Sequence, residues 1–479
     1  MINKIIGSIY NKLWLHPTNP FIDLVSDPIY PLPPSYKPYP IEYFPTSDNY
    51  EKQTKVEEEG KKKKWLVIHY GGSDNDLARY IFRDLDELEK VGSDHNTHIV
   101  SLLDMGKQFG MPFEGARVFY VKQDNQKDII NSPVIKKFRQ VDTSDPKFMA
   151  TLIKEIIRRF PADNIALIIS NHGVGWKGIV TDDSAGSKFM HIDELREALG
   201  EVVKSTGKKI DVVAFDACLM AMAEVGYELK DVAKYMVASE EIEGGNGYEY
   251  SVLFSKAMKN LQSANLAKIN MGPEEFAKLI VHAAKEYSND IRTISAVDLE
   301  KANNLAKAMD SFAKTLIPKF DHYKVATIIE QIKNSNNQQN STQTQDIQKL
   351  KQEIKDLLKL PNLPENLDDL ISTLDYNDAK RIKDKIPMVQ SFRRGFKDLK
   401  HFMKLIQEDN EISEEVRKKA SKVMETIDEY VIAEFHNSWF PNANGVSVDL
   451  SLLGDPVEQY KQTLIAKDTN WDELIEKIS

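Results

Sequence analysis

The chain has a single cysteine, Cys218, among its 479 residues. One thiol excludes a disulfide within the chain and a zinc site built on several cysteines. The sequence also lacks an apolar stretch of the ~18 residues that span a bilayer, and it lacks an excess of positive charge, because its net charge is −10. Nucleic acids and anionic membranes select basic surfaces, so we expect neither nucleic-acid binding nor membrane insertion.

The first 60 residues have few of the patterns that predict regular structure. Their beginning, MINKIIGSIYNKLWLHP, has a short interrupted apolar run without a small-residue cleavage site. This pattern does not match a standard signal peptide, so a cytoplasmic location is the default expectation. The stretch DPIYPLPPSYKPYPIEYFP is rich in proline, which fixes φ and removes hydrogen-bond donors. Residues 1–60 are therefore predicted to form an extended N-terminal arm.

Residues 61–300 alternate apolar strand-like runs with amphipathic helices. Examples of the strand-like runs are WLVIHYGG, THIVSLLDMG, NIALIIS and KIDVVAFDA. This alternation predicts an α/β domain with a mostly parallel central sheet covered on both faces. Residues 301–430 predict a helical region, with a mobile polar loop near 334–346. Residues 431–479 predict a strand and a helix that return to the core.

One glycine pattern suggests a nucleotide site. Gly173, Gly175 and Gly178 form G-x-G-x-x-G directly after the strand NIALIIS. A dinucleotide fingerprint requires a helix to begin at once, so that its first N–H groups face the pyrophosphate. Here IVTDDSAGS follows, and the next helical pattern begins only near His191. The order of these residues therefore disfavours a nucleotide-binding site.

Two polar strand ends are the stronger candidate site. NIALIIS leads into His172, and KIDVVAF leads into Cys218, 46 residues later. This interval fits one loop, one helix and one strand, and adjacent parallel strands lie about 4.8 Å apart. A histidine near a thiol can accept its proton and later protonate a leaving amine. The alternative interpretation is that Cys218 is buried and inert and that His172 only satisfies a turn.

These two blocks, ALIISNHGVGW and VVAFDACLMA, resemble the clostripain-like cysteine peptidases of the caspase–haemoglobinase superfamily. DNDL, ASEEIEGGNGYEY and TISAVDL resemble the same family. The resemblance covers about 65–300 well, is patchy beyond, and does not extend to the arm. It implies that 61–300 form the catalytic domain of a caspase-like α/β/α sandwich with a helical C-terminal region, in a protein that hydrolyses peptide bonds.

The resemblance also assigns roles to individual residues. It implies that Cys218 is the nucleophile and His172 the general acid and base, with the N–H groups of Gly173 and Cys218 as the oxyanion hole. Asp216 matches the acid that receives Arg or Lys in the S1 pocket, which holds the residue before the cleaved bond. Its alternative role is to cap the following helix. Some relatives carry a second acid where this chain has Asn246, so the choice between Lys and Arg stays open.

Three further expectations follow from the resemblance. Members of the family often cleave themselves between the two blocks, and Lys188 in TDDSAGSKFMH is the predicted site, with an intact loop as the alternative. No cofactor is required by any motif, and no metal site is assigned. Calcium dependence is known in the family, and Asp182 and Asp183 are acids that could ligate calcium or simply be solvated.

We therefore expect a cysteine endopeptidase that acts on peptides or proteins after basic residues. One alternative is a catalytically inactive member of the fold that serves as a binding or scaffold protein. A second alternative is a cysteine peptidase that prefers Asn or Asp before the cleaved bond.

Overall fold

A single large sheet organises the chain. The computed structural model describes residues 55–106, 111–255, 271–287, 290–336, 343–450 and 457–478. The strands are β1 (Lys63–Gly71), β2 (Thr97–Met105), β3 (Gly115–Tyr120), β4 (Val134–Lys137), β5 (Ala162–Ser170), β6 (Ile210–Asp216), β7 (Ala233–Ala238), β8 (Thr293–Asp298), β9 (Lys397–Asp398), β10 (Val431–His436) and β11 (Ser447–Val448). Nine of them form one sheet in the order β10-β8-β7-β6-β5-β1-β2-β3-β4.

The centre of the sheet is parallel and its edges are antiparallel. Strands β7, β6, β5, β1 and β2 run parallel to one another. At one edge β8 and β10 are added antiparallel, and at the other edge β3 and β4 are. The carboxyl ends of the central strands therefore lie at one rim, which is where ligand sites form in such sheets.

Helices cover both faces of the sheet. The helices up to residue 385 are α1 (Ala78–Glu89), α2 (Pro146–Arg159), α3 (Ile192–Thr206), α4 (Ala223–Leu229), α5 (Pro273–Tyr287), α6 (Ala302–Asn336), α7 (Gln343–Leu358), α8 (Leu367–Thr373) and α9 (Asn377–Lys385). Beyond it lie α10 (Leu399–Gln407), α11 (Glu414–Tyr430), α12 (Val457–Tyr460), α13 (Leu464–Asp468) and α14 (Trp471–Ile478). None of the described helices is long and apolar enough to cross a membrane.

Alternation along the central strands creates two hydrophobic cores. On β6, Val213 and Phe215 belong to one core and Val212 and Ala214 to the other. Helices α2, α3, α6, α10 and α11 pack into the first core, and α1 and α5 into the second. Because both faces of the strands are covered, they consist of continuous apolar runs. The predicted caspase-like α/β/α sandwich with a mostly parallel sheet is confirmed.

The C-terminal part of the chain returns to the sheet. Strand β10 pairs with β8 at the edge of the sheet, and β11 pairs with β9 in a separate two-stranded sheet. The predicted loop near 334–346 is bounded by α6, which runs to Asn336, and α7, which begins at Gln343; residues 337–342 lie outside the described residues. Of the predicted arm, residues 1–54 lie outside them too. At its end, Glu59 forms an ion pair of 3.2 Å with Arg159.

Candidate active site

The candidate site lies where β5 and β6 end side by side. The two strands pair in parallel with Ser170 opposite Asp216. This register has the same offset of 46 residues (216 − 170) that separates His172 from Cys218. Both residues therefore follow their strands by two positions, at the same rim of the sheet. A side-chain carbon placed on Gly173 would lie 2.4 Å from the carbonyl oxygen of Cys218, so the two loops are in direct contact.

Cys218 is half-buried at the start of a strained turn. Its Sγ accepts a hydrogen bond of 3.4 Å from the N–H of Glu243. The next residue, Leu219, has φ +67°, a left-handed conformation that non-glycine residues rarely adopt. Burial raises the pKa of the Cys218 thiol, and the charges of Glu241 and Asp216 add to the shift. The thiol is therefore protonated at neutral pH unless a base accepts its proton.

The imidazole of His172 is bound by an acid that the sequence did not single out. Its Nε2 lies 2.7 Å from Oδ1 of Asp76, in the loop between β1 and α1. This hydrogen bond is the largest cause of the lowered pKa of Asp76, which keeps that carboxyl ionised. Within the described part of the chain, no hydrogen bond joins His172 to the thiol of Cys218. Asp76 lies in the DNDL block, which directly follows β1. Because β1 and β5 are parallel neighbours in the sheet, the position of this block was the sequence signal that could have placed Asp76 near His172.

Two backbone N–H groups at the rim have no backbone acceptor within the described part of the chain. Gly173 and Cys218 donate no backbone hydrogen bond to a described residue. The neighbouring residues make the backbone hydrogen bonds of this loop instead. The N–H of Val180 donates to the carbonyl of His172, and the N–H of Val174 donates to the carbonyl of Gly178. Both N–H groups remain available to a carbonyl oxygen of a ligand, which is the requirement for an oxyanion hole.

Asp216 lies deep in the site and is held by several donors. Its Oδ2 accepts hydrogen bonds from Tyr250 Oη at 2.8 Å, from Ser170 Oγ at 3.4 Å and from the N–H of Tyr248 at 3.4 Å. Burial raises the pKa of Asp216, although these donors act in the opposite direction. Gly247 packs directly on this carboxyl, since a side-chain carbon there would lie 2.1 Å from Oδ1.

A second buried acid, Glu243, accompanies Asp216. Both carboxyl oxygens of Glu243 are buried, next to the carboxyl group of Asp216 and the backbone of Ala217. Burial raises the pKa of Glu243 well above its usual range, and the charges of Asp216 and Cys218 reinforce the shift. Two adjacent carboxyl groups cannot both ionise easily unless a cation joins them. No sequence pattern pointed to Glu243 beyond its place in the family-like block ASEEIEGGNGYEY.

Asn246, the position where some relatives carry an acid, is directed elsewhere. Its Nδ2 donates to Asp290 at 2.6 Å, and its Oδ1 accepts a hydrogen bond of 2.6 Å from Arg83. In this chain, Glu243 therefore supplies the second carboxyl group near Asp216.

The glycine pattern after β5 does not form a nucleotide loop. Gly175 and Gly178 have φ +68° and +147°, and the chain between them makes a single turn of 3-10 helix. Trp176 is buried in this turn and donates to Asp449 at 3.0 Å. The next α-helix, α3, begins only at Ile192, so no helix opens directly after the loop as a dinucleotide fingerprint requires.

The fold and the paired strand ends define the class of this protein, an α/β/α sandwich that places a histidine and a cysteine at the ends of neighbouring parallel strands. Residues 69–477 match the sequence profile of the clostripain family. The chain therefore belongs to the clostripain family. It is 24% identical over 312 residues to clostripain of Hathewaya histolytica. That match covers 55% of this chain and 58% of clostripain, so it spans little more than half of the relative's length.

Solved structures agree with this fold. A secreted C11 cysteine protease of Bacteroides thetaiotaomicron, bound to an irreversible peptide inhibitor, is similar with a TM-score of 0.55 and 18% identity, over 86% of this chain and 99% of that one. An inactive zymogen C11 protease of Parabacteroides distasonis is similar with a TM-score of 0.52 and 17% identity, over 85% and 98%.

Proposed function

We propose that the protein is an endopeptidase that cleaves after Arg or Lys, with Cys218 as nucleophile and His172 as general acid and base. The observation that carries the proposal is the pair of buried carboxyl groups, Asp216 and Glu243, beside the only thiol of the chain. A site that buries two acids, with no lysine or arginine paired to either of them among the described residues, is suited to a cationic side chain. Substrates are peptides or proteins with basic residues.

The chemistry assigns one task to each group. Sγ of Cys218 attacks the carbonyl carbon while His172 accepts the thiol proton. The oxygen then carries negative charge, which the N–H groups of Gly173 and Cys218 stabilise. His172 passes its proton to the leaving amine, and water hydrolyses the thioester that remains. Asp76 does not touch the reacting atoms; it holds the imidazole in one orientation through Nε2.

The carboxyl pair explains the proposed preference for basic residues. A guanidinium or ammonium group compensates the charge of Asp216 and Glu243 and lets both carboxyls ionise. An Asn side chain would leave that charge uncompensated, and an Asp side chain would add to it. Buried polar groups left without a partner discriminate strongly against the wrong substrate.

The decisive experiment uses matched peptide substrates that differ only in the residue before the cleaved bond: Arg, Lys, Asn or Asp. Wild type should release product from the Arg and Lys peptides, and Cys218→Ala should release none. Turnover of only the Asn or Asp peptides would favour the alternative, a cysteine peptidase that prefers Asn or Asp before the cleaved bond. If no peptide is cleaved and an active-site-directed peptide inhibitor does not label Cys218, the catalytically inactive alternative gains support.

Self-cleavage after Lys188 is a second part of the proposal. Lys188 is exposed in the loop between the histidine and cysteine blocks, and Ser187 before it has φ +56°. An exposed basic residue in an irregular loop is accessible to a site that accepts basic side chains. Purified wild type should separate into two fragments, the second beginning at Phe189, whereas Cys218→Ala should stay intact. An intact wild type with full activity would contradict this part alone.

A further inference from the structure

A row of polar side chains crosses the sheet on the face that α1 and α5 cover. Its members lie on four neighbouring strands: Asp216 on β6, Ser170 on β5, His69 on β1 and Ser101 on β2. Asp216 is 9% exposed, and the other three are at most 2% exposed. On each strand, the preceding residue of the same face belongs to the second hydrophobic core, so the row interrupts an apolar surface. The proposed function uses only Asp216 and leaves the other three residues without a role.

Hydrogen bonds join the row to Asp216. The imidazole of His69 lies between two hydroxyl groups, with Nδ1 2.8 Å from Ser101 Oγ and Nε2 3.1 Å from Ser170 Oγ. Ser170 Oγ lies 2.9 Å from Oη of Tyr250, and this phenol donates to Oδ2 of Asp216 at 2.8 Å. The polar chain, as we call it, consists of Ser101, His69, Ser170 and Tyr250. It connects a carboxyl group on β6 with a hydroxyl group three strands away on β2.

His69 gives the polar chain a direction. Burial lowers the pKa of its imidazole to about 3, so the ring is neutral at neutral pH. A neutral imidazole carries one hydrogen, and it donates through one nitrogen while it accepts through the other. The hydrogen bonds on its two sides therefore point the same way along the chain.

Only one direction gives every hydrogen of the polar chain an acceptor. If Nε2–H of His69 donates to Ser170, each hydroxyl donates onward and the chain ends on an ionised Asp216. Ser101 then donates to Nδ1. In the opposite direction Asp216 must carry a proton, and the hydroxyl hydrogen of Ser101 has no acceptor among the described residues. The first direction keeps one more hydrogen bond in a buried site, where an unmade bond is costly.

We infer that the polar chain makes Asp216 the ionised carboxyl of its pair and leaves the proton of the pair on Glu243. The other titratable groups around Asp216 are the carboxyl of Asp84 on α1, the thiol of Cys218 and the phenol of Tyr248. Burial raises the pKa of these three groups and of Glu243, which favours their neutral forms. Burial also raises the pKa of Asp216, but its hydrogen-bond donors oppose that shift.

This inference deepens the proposed function, and its consequence for substrates rests on that function. A carboxylate that is already ionised offers a charge to the guanidinium or ammonium group of an Arg or Lys substrate. His69 and Tyr250 are then positioning residues that act on specificity through Asp216. The direction of the polar chain itself does not depend on the substrate.

The direction is tested by NMR on full-length Cys218→Ala protein that carries ¹⁵N in its histidine rings. Long-range ¹H–¹⁵N correlations distinguish an imidazole protonated on Nε2 from one protonated on Nδ1. The signals of His69 are assigned by their absence after the further substitution His69→Gln. We expect a neutral ring protonated on Nε2 between about pH 6 and pH 8. A ring protonated on Nδ1, or on both nitrogens, would overturn the inference, and this readout needs no turnover.

The role in specificity is tested with Tyr250→Phe, which removes the hydroxyl that donates to Asp216 and keeps the ring. Hydrogen bonds to charged groups are the stronger ones, so KM for an Arg peptide should rise roughly tenfold while kcat changes little. Without this donor the pKa of Asp216 rises. The pH below which kcat/KM declines should therefore move up by roughly one unit.

The matched control is Tyr70→Phe, because Tyr70 is equally buried but donates to the carbonyl of Thr143 at 2.8 Å. This variant should lose stability and keep both the KM and the pH profile of wild type. An unchanged KM and pH profile in Tyr250→Phe, or the same changes in Tyr70→Phe, would refute the role of the polar chain. Failure of wild type to cleave Arg and Lys peptides would instead contradict the proposed function, and the NMR result would still decide the direction.

Discussion

At the scale of single residues, the carboxyl pair of Asp216 and Glu243 is the basis of the proposed specificity. Asp216 was predicted from the resemblance, because it matches the acid two positions before the cysteine that lines the family's S1 pocket. Glu243 was not, because its approach to Asp216 depends on how the turn after β7 folds over the site. Asn246 seemed the relevant position, yet its side chain is bound to Arg83 and Asp290.

Replacing Glu243 tests the pair. Glu243→Gln removes one of two buried charges that the substrate cation compensates. Losing one partner of a buried charged pair costs about 2–5 kcal/mol, so kcat/KM for an Arg peptide should fall roughly 100-fold. Glu249→Gln is the matched control, because Glu249 lies on the same turn and pairs with Arg83 at 3.6 Å. Equal kcat/KM in wild type and Glu243→Gln would remove Glu243 from the pocket.

Asp76 offers a second test at this scale, as a positioning residue. Asp76→Asn weakens the hydrogen bond that orients His172, and Asp76→Glu restores a carboxylate. We expect kcat to fall roughly 10-fold or more in Asp76→Asn with KM little changed, since substrate binding does not use Asp76. Asp76→Glu should recover part of the loss. A rise in KM of the same size, or no recovery by the glutamate, would argue for a structural role only.

At the scale of elements, the register of β5 and β6 brings the two blocks together. The offset of 46 residues is visible in the sequence, but only the pairing of Ser170 with Asp216 makes it a spatial relation. The close contact between the two following loops then requires a residue without a side chain at Gly173. The sequence did not reveal this requirement, because Gly173 also fits the nucleotide-binding pattern G-x-G-x-x-G.

A pair of glycine substitutions separates this contact from general effects of glycine. Gly173→Ala forces a methyl group to within 2.4 Å of the Cys218 carbonyl, so we expect lower stability and loss of turnover. Gly200→Ala is the control, because Gly200 lies in α3 with nothing within 4 Å of the added carbon. It should raise stability by roughly 0.5–1 kcal/mol, since glycine weakens a helix interior. Unfolding curves and peptide turnover are measured for both variants. Unchanged activity in Gly173→Ala would refute the close contact between Gly173 and the Cys218 carbonyl.

At the scale of the whole molecule, the C-terminal region is attached to the α/β domain through buried acids. Oε1 of Glu224, in α4 after the cysteine block, accepts hydrogen bonds from the N–H of Asp449 at 3.0 Å and from Tyr460 Oη at 2.9 Å. Burial raises the pKa of Glu224 to about 8. The folded protein therefore keeps this carboxyl protonated up to a pH at which the unfolded chain has released the proton.

This difference predicts how stability depends on pH. Because the folded state holds the proton more tightly, the contribution of Glu224 to stability falls as the pH rises from ~4.5 toward about 8. Glu224→Gln carries no charge at any pH. Relative to wild type, it should gain stability on the order of a few kcal/mol between pH 5 and pH 9, as measured by denaturant unfolding. A stability difference that does not change with pH would contradict the buried, protonated state.

The sequence by itself determined the class of fold and the two blocks at its rim. Continuous apolar runs and amphipathic helices are local patterns, and they specify strands and helices wherever the chain places them. The family-like blocks also identified Cys218, His172 and Asp216 as candidates.

Only the tertiary structure decided which remote side chains meet. Asp76 pairs with His172, and Glu243 lies beside Asp216, although tens of residues separate the partners. Sequence patterns do not encode these contacts directly, because they depend on strand order, on register and on the course of the loops between strands. Local propensity does not determine strand order, register or loop course. The packing of the whole sheet determines them.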